Sequence, residues 1–425
     1  MKKALIISYF FSPCNLTAAQ RIMGWAKYLK EYGYEPVVIT RNWDNHINQP
    51  EDVLLSSGSE VIHEKNDNYE VYYLPYKASR RDRIYTKHEG SPLQKLSRIY
   101  TFYNLIAENF SVKSIPHYNM YSFARTYLQE NKDIDTVIIS GNPFNQFHFG
   151  YLLEKEFNVK WIADYRDDWN TTELEAQKTR LNSIIGKLQT KSEKKWVKSA
   201  SMITSVSSYY VEKISDFVKR PGHVVLNGFE LGNAQKNRTS DDSFVITYNG
   251  SLYASQPIEP LLEVIGQLIR DGYNEIKLRF PGLAFDPQQA SRVEKATKEY
   301  SNHVSITNRI PKEEVIKIQQ ESDLLVMIAH SGIKGVPSSK LYEYLGLRKE
   351  ILLYPNDHNI IEETLLDTEL GIICDNKNEI YKKLKTKIDL KRKGEQPIEF
   401  GNFEKIKSYS RQEQTKELAR LIDKL

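Results

Sequence analysis

Two kinds of stretch alternate along the chain, and the alternation limits its fold more than any other feature. Short apolar runs such as Ala4–Tyr9, Glu35–Thr40, Thr136–Ser140 and Lys160–Asp164 recur, and all but the second are followed by a loop and then an apolar or amphipathic stretch. After the first run, Ala18, Ala19, Ile22, Met23, Ala26 and Leu29 mark one face of a helix that ends near Gly33. Strand–helix–strand units of this kind predict a parallel sheet. The layout then starts again: Phe244–Tyr248 reads as a strand, Pro257–Ile269 as a helix, Ile276–Phe280 as a strand, and the runs at 304–306 and 324–329 as two more. The two halves share this plan without sharing sequence. With 425 residues the chain is too long for one ordinary core. The expectation is an α/β protein of two facing doubly wound Rossmann-like domains. The first spans 1–230, a polar linker 231–243, and the second 244–402. A terminal amphipathic segment, 403–425, carries Leu418, Leu421, Ile422 and Leu425 on one face and packs back on the first domain.

Chemistry concentrates where the second half reaches Gly335-Val336-Pro337-Ser338-Ser339-Lys340-Leu341-Tyr342-Glu343-Tyr344-Leu345. This stretch lies between two apolar runs and carries helix-start signals in Pro337, Ser338 and Ser339. A strand–loop–helix turn aims amides and a positive dipole end at the carboxyl edge of a sheet, which suits phosphate. Lys340 adds a full charge, and Glu343, one turn on, can accept hydrogen bonds from sugar hydroxyls. The competing reading is a capped helix with solvated side chains. No G-x-G-x-x-G follows the first strand, which argues against a dinucleotide.

Other features narrow the class. A net charge of +4, from 59 Lys+Arg against 55 Asp+Glu, is too slight for nucleic acid as the main partner. Cys14 and Cys374 make neither a disulfide framework nor a metal spacing, and a reducing cytoplasm is expected. The apolar opening is too short and too hydroxylated for a signal peptide, and no run reaches membrane-span length. Asp133-Ile134-Asp135 spells D-x-D but precedes its strand, so it reads as a solvated turn. His148 reads as structural, and His330 as a loop residue at the strand end. The segments 77–98, with Arg80, Arg81 and Arg83, and 178–198 are basic and interleaved with aromatic or aliphatic residues. They fit either an anionic membrane surface or a solvated face.

Ala163-Asp164-Tyr165-Arg166-Asp167-Asp168-Trp169, Leu226-Asn227-Gly228-Phe229, Tyr248-Asn249-Gly250-Ser251 and Ser338–Leu345, each at a strand end, together resemble the GT-B fold glycosyltransferases. The likeness is to the family-4-like bacterial enzymes that build surface polysaccharides. It implies a nucleotide-sugar donor on the second domain, touched by Asn249, Gly250, Ile310, Ser338, Ser339, Lys340 and Glu343. It implies a glycan or lipid-linked acceptor on the first domain, no metal, no cofactor beyond the donor itself, retention at the anomeric carbon, and a place at the inner membrane face. Two departures stand out: Gly335 occupies the position of the family's first Glu, and Ser251–Ile258 has neither the usual Arg nor the usual Lys.

On the first domain Asp167 is the expected base and Arg166 its catalytic companion. Asp164 is expected to hold Arg166 by a bidentate pair. Thr17 and Arg21, at the first helix start, are candidates for acceptor or phosphate contact. A structural salt-bridge cluster is the alternative for 164–167. Two other functions fit the same layout, a sugar-nucleotide epimerase and a non-catalytic partner protein. The first would turn over donor without acceptor, and the second would bind no nucleotide.

Overall fold

The computed structural model describes residues 1–43, 47, 50–88, 90–171, 180–232, 242–336, 338–395 and 401–425. Most of the expected linker, 233–241, lies outside them, as does Pro337. The chain divides into two compact units, Met1–Asn227 with Arg411–Leu425, and Gly228–Ser410.

The first unit is built on β1 (Lys2–Ser8), β2 (Tyr34–Arg41), β3 (Ile62–Lys65), β4 (Glu70–Leu74), β5 (Ile134–Gly141), β6 (Lys160–Tyr165), β7 (Met202–Ser205) and β8 (Gly222–Val224). They form one sheet in the order β3-β4-β2-β1-β5-β6-β7-β8, parallel except for the β3–β4 pair. Alternate residues serve opposite faces. Leu5, Ile7, Val137, Ile139 and Trp161 enter one core cluster, and Ala4, Ile6, Val38, Ile138 and Ile162 enter another. A sheet covered on both sides must read as an unbroken apolar run, which is why these strands were legible. The second face is sealed by the helix Arg411–Ile422, whose Leu418, Leu421 and Ile422 sit in that cluster beside Ile22, Trp25 and Ala26 of helix Thr17–Tyr28. Each such side chain contributes about 1.5–3 kcal/mol.

The expected terminal helix 403–425 is two helices. Phe403–Ser408 stays in the second unit, and the chain leaves through Ser410, which is buried and bridged to Phe229. Two elements of the first unit carry no clear sequence signal. Strand β3 is an exposed antiparallel edge with no core-facing apolar residue, and helix Tyr118–Glu130 mixes tyrosines into its buried face.

In the second unit β9 (Phe244–Thr247), β10 (Ile276–Phe280), β11 (Val304–Ile306), β12 (Leu324–Met327), β13 (Ile351–Leu353) and β14 (Gly371–Ile373) form an all-parallel sheet in the order β11-β10-β9-β12-β13-β14. Strand order reverses between β9 and β12 here, and between β1 and β5 in the first unit. Those reversals open crevices at the carboxyl ends of the strands, where ligands bind in such sheets. Among the described residues no helix is long and apolar enough to cross a membrane.

Candidate functional site

At the β9/β12 reversal, the loop Tyr248-Asn249-Gly250-Ser251 meets helix Ser339–Leu347. Ser338 caps that helix, its hydroxyl accepting from the Lys340 amide at 3.3 Å. The Lys340 side chain crosses to the loop. Its Nζ donates to the Tyr248 hydroxyl at 2.9 Å and to the Ser251 carbonyl at 2.6 Å, and lies 4.3 Å from the Tyr248 ring centre. Gly250 has φ +75°, and a Cβ there would lie 3.5 Å from Lys340 Cε. Gly282, at φ +84°, brings the next loop to van der Waals contact with Gly250. At both positions it is the positive φ, rather than lack of space, that favours glycine.

The amide of Asn249 donates to the Tyr344 hydroxyl at 3.1 Å and that of Gly250 to the Pro281 carbonyl at 2.9 Å. Both are engaged in holding the loop. The charge available at this point is therefore that of Lys340. Burial strips water from its ammonium and pulls its pKa down to about 7, and the carboxylate of Glu343 pushes it back up. His330, just past β12, accepts from or donates to Ser255 at 2.7 Å through Nδ1, so it is a partnered residue rather than a solitary loop histidine. Burial lowers its pKa, and the Lys340 charge lowers it further. A desolvated cation beside a histidine held neutral is an environment that an anion would relieve. Ser339 and Glu343 are half-buried on the same helix, and Ile310 is half-buried on the loop after β11 at the same edge of the sheet. Arg292 braces the Arg- and Lys-free segment from outside: it donates to the Tyr253 and Gln256 carbonyls at 3.2 and 2.9 Å and is paired with Glu259.

At the β1/β5 reversal the first unit has a cavity of about 480 Å³. Its walls include Tyr9, Phe10, Tyr76, Glu108, His117 and Arg166. Beneath it the Arg41 guanidinium is fully buried, 3.9 Å from the Tyr76 ring centre and 4.1 Å from that of Trp43. Glu108 accepts from Asn145 Nδ2 at 3.0 Å, and burial pushes its pKa up to about 7. His117 is buried, and its pKa is driven down to about 3 by that burial and then by Arg41. Of the groups that line this pocket, Glu108 and His117 are thus pushed toward their neutral forms, while Arg81, Asp82 and Arg166 also stand in its walls.

The candidates on the first unit separate. Arg166 lines the cavity and donates to Asp167 at 3.0 and 3.2 Å, while Asp167 is exposed. The expected Asp164–Arg166 pair does not form. Asp164 is fully buried and takes Arg21 instead, at 2.8 and 3.2 Å. Its oxygens also accept from Ser140 and Thr204, each at 2.8 Å, and Arg21 donates onward to the Val225 and Leu226 carbonyls. Strand-end position did not reveal this because Arg21 sits one turn inside its helix, on the buried face with Ile22 and Trp25. Arg21 and Asp164 therefore tie β5, β6, β7 and the segment after β8 together. Thr17 is exposed at the start of the helix, while its neighbour Ala18 lines the cavity.

Asp133 pairs with Lys3 at 2.9 Å, with a well-exposed carboxylate, in keeping with a solvated turn. His148 stacks on Trp196 at 4.5 Å in the interior. Among the described residues no group of three His, Cys, Asp or Glu side chains is placed to hold a metal. Glu108, His117 and Asn145 were missed from the sequence. A signal existed in Ser97, Thr101 and Glu108, polar residues recurring on one side of an otherwise apolar helix.

The family described as Glycosyl transferases group 1 matches residues 232–402. No curated protein matches the chain by sequence. Among solved structures, sucrose-phosphate synthase from Thermosynechococcus elongatus is similar at 14% identity and TM-score 0.64, covering 100% of this chain and 99% of that one. A glycosyltransferase from Rickettsia africae is similar at 12% identity and TM-score 0.60, covering 99% and 98%. HepE from Anabaena in complex with UDP is similar at 11% identity and TM-score 0.58, covering all of both chains. Residues 232–402 thus match the group 1 glycosyltransferase family, and the chain as a whole has the fold of these GT-B structures.

Proposed function

We propose that the chain moves a sugar from a nucleotide diphosphate donor, held by the second unit, to a glycan or lipid-linked acceptor held by the first. The observation that carries this reading is the half-buried Lys340 ammonium at the β9/β12 reversal, held by Tyr248 and Ser251. Charge gathers on the diphosphate as the glycosidic bond breaks, and a preplaced cation in a water-poor site stabilises it. Ser338, Ser339 and the helix start add dipole, Glu343 is the candidate partner of the ribose hydroxyls, and Ile310 is the candidate contact for the base. HepE has been solved with UDP and with UDP-glucose, which supports the same donor class.

The transfer is proposed to be metal-independent, with Lys340 answering the leaving charge. Retention is proposed, with the acceptor hydroxyl entering on the face the diphosphate leaves. Asp167, oriented by Arg166, is the candidate to position that hydroxyl and take its proton. A role in cell-surface polysaccharide synthesis at the cytoplasmic face of the membrane follows from the resemblance, and the free buried thiols Cys14 and Cys374 suit that compartment.

Calorimetry with a panel of nucleotide diphosphates and their sugars tests the reading. Binding of at least one, lost in Lys340→Ala and unchanged by a chelator, is expected. A chain that binds none of them is not a nucleotide-sugar transferase.

A further inference from the structure

Helix Leu96–Phe110 is turned inside out relative to an ordinary surface helix. Several of its polar residues face the protein. Ser97 is buried, and Thr101, Asn104 and Glu108 line the cavity of the first unit beside Leu105. One row of its apolar residues faces outward. Leu96, Ile99, Tyr103 and Phe110 follow one another at helical spacing, and Ile99 and Tyr103 are each 64% and Phe110 75% exposed. Leu93, in the turn before the helix, is exposed as well. A globular helix buries its apolar face; this one presents it to solvent.

The surroundings of that stripe are basic. Lys77, Arg80, Arg83, Lys87, Lys95 and Arg98 are all exposed. Asp82 is buried and engaged with Ser79, Tyr76 and Arg81. Helix Arg180–Val197 packs beside helix Leu96–Phe110 and carries exposed Ile184, Lys187 and Lys191 at one-turn spacing.

We propose that helix Leu96–Phe110 docks this protein on an anionic lipid bilayer, with Ile99, Tyr103 and Phe110 sunk below the headgroups and the Lys and Arg side chains among them. An apolar stripe bordered by cations is what an interfacial helix needs. A second copy of the chain is the less suitable occupant, because a twofold contact would set the same basic border against itself. Such docking rests, for its purpose, on the reading that the acceptor is lipid-linked. The same helix then touches the bilayer with one face and the acceptor cavity with the other, so an acceptor anchored in the lipid need travel little to reach Glu108 and Arg166.

The test is flotation of the full chain with phosphatidylcholine vesicles, with and without phosphatidylglycerol. Binding is expected only with the anionic lipid and should weaken as salt rises. The triple variant Ile99→Ser/Tyr103→Ser/Phe110→Ser should lose at least tenfold in partitioning, and Lys95→Gln/Arg98→Gln severalfold, with melting temperatures unchanged. Absence of binding by the parent chain, equal binding by the triple variant, or a dimer in light scattering that the triple variant abolishes would overturn the docking. Calorimetric donor binding without vesicles separates the two readings. Flotation without donor binding leaves the lipid surface standing and removes the transferase reading, and donor binding without flotation does the reverse.

Discussion

The two units share one sheet topology at their centres, yet the crevices at their reversal points differ in chemistry. At β9/β12 the Tyr248–Ser251 loop takes up a single ammonium, Lys340, with positive-φ glycines at 250 and 282 beside it. At β1/β5 they stand apart and leave about 480 Å³ lined by Tyr9, Phe10, Tyr76, Glu108 and His117. The sheet determines where a ligand sits, and the loops determine its charge. One crevice holds a lysine ammonium, and the other is walled by aromatics with Glu108 and His117 pushed toward their neutral forms.

The largest effect should come from the pair that holds the neutral crevice in shape. Asp164→Ala leaves the buried Arg21 cation with its carbonyl partners but without its counter-charge. Loss of one partner of a buried ion pair costs about 3–5 kcal/mol. Chemical denaturation should show that loss in the first unit. An unchanged midpoint would mean that the two crevices are not separately braced.

Next is the charge at the other crevice. Lys340→Ala should weaken binding of a nucleotide diphosphate about 100-fold, or roughly 3 kcal/mol, as the loss of charge-assisted hydrogen bonds implies. The pH dependence sharpens the point. With its pKa near 7 in the free protein, Lys340 sheds its proton as pH rises past that value. Affinity should then fall by up to about tenfold per unit above pH 7, until the bound-state pKa is reached. The sign for stability is opposite: between pH 7 and the unfolded lysine value near 10.5 the unfolded chain binds more protons, so this group favours folding as pH rises. Affinity flat from pH 6 to 9 would remove Lys340 from the donor site.

Gly250→Val tests whether the tight crevice depends on backbone approach. A β-branched residue at φ +75° costs about 1–2 kcal/mol and pushes toward Lys340. Donor affinity should fall about tenfold or more, while the pH profile of what remains keeps its shape.

Much of this contrast could be read in the sequence, and the remainder has a physical reason for being hidden. The β9/β12 site joins two stretches 89 positions apart, from Ser251 to Lys340, but each carries its own signal, a strand with a glycine turn in one and a Ser-Ser-Lys helix start in the other. The β1/β5 site is assembled from residues far apart in sequence. Glu108 lies on an inserted helix, Asn145 past β5 and Arg166 past β6. Periodicity reports which face of a helix is apolar but not which way that face points. Helix Leu96–Phe110 was therefore legible as a helix, while its inversion was not. The Arg21–Asp164 pair was hidden for the same reason: a charged residue inside a helix reads as exposed unless its partner, 143 positions on, is known.

The smallest effect belongs to Glu108. Its pKa, about 7 against an ordinary 4.5, means that the folded chain binds more protons than the unfolded one across that interval. Stability should therefore fall as pH rises from about 4.5 toward 7, the reverse of a salt-bridged carboxylate. Glu193, buried and bonded to Tyr165 and Asn170, is pushed up to about 7 as well and makes the same contribution elsewhere in the first unit. Buried His117 and His148, with lowered pKa values, act in the opposite sense, so Glu108→Gln should make the change of melting temperature with pH between 5 and 7 more positive than in the parent. The glutamine keeps the hydrogen-bonding shape of the protonated acid, so acceptor KM should change little at pH 6. It should improve relative to the parent above pH 8, where the parent carries a buried carboxylate. Should the parent and the variant trace one curve in both measurements, Glu108 carries its charge in the cavity, and the contrast between a neutral crevice and a cationic one is lost.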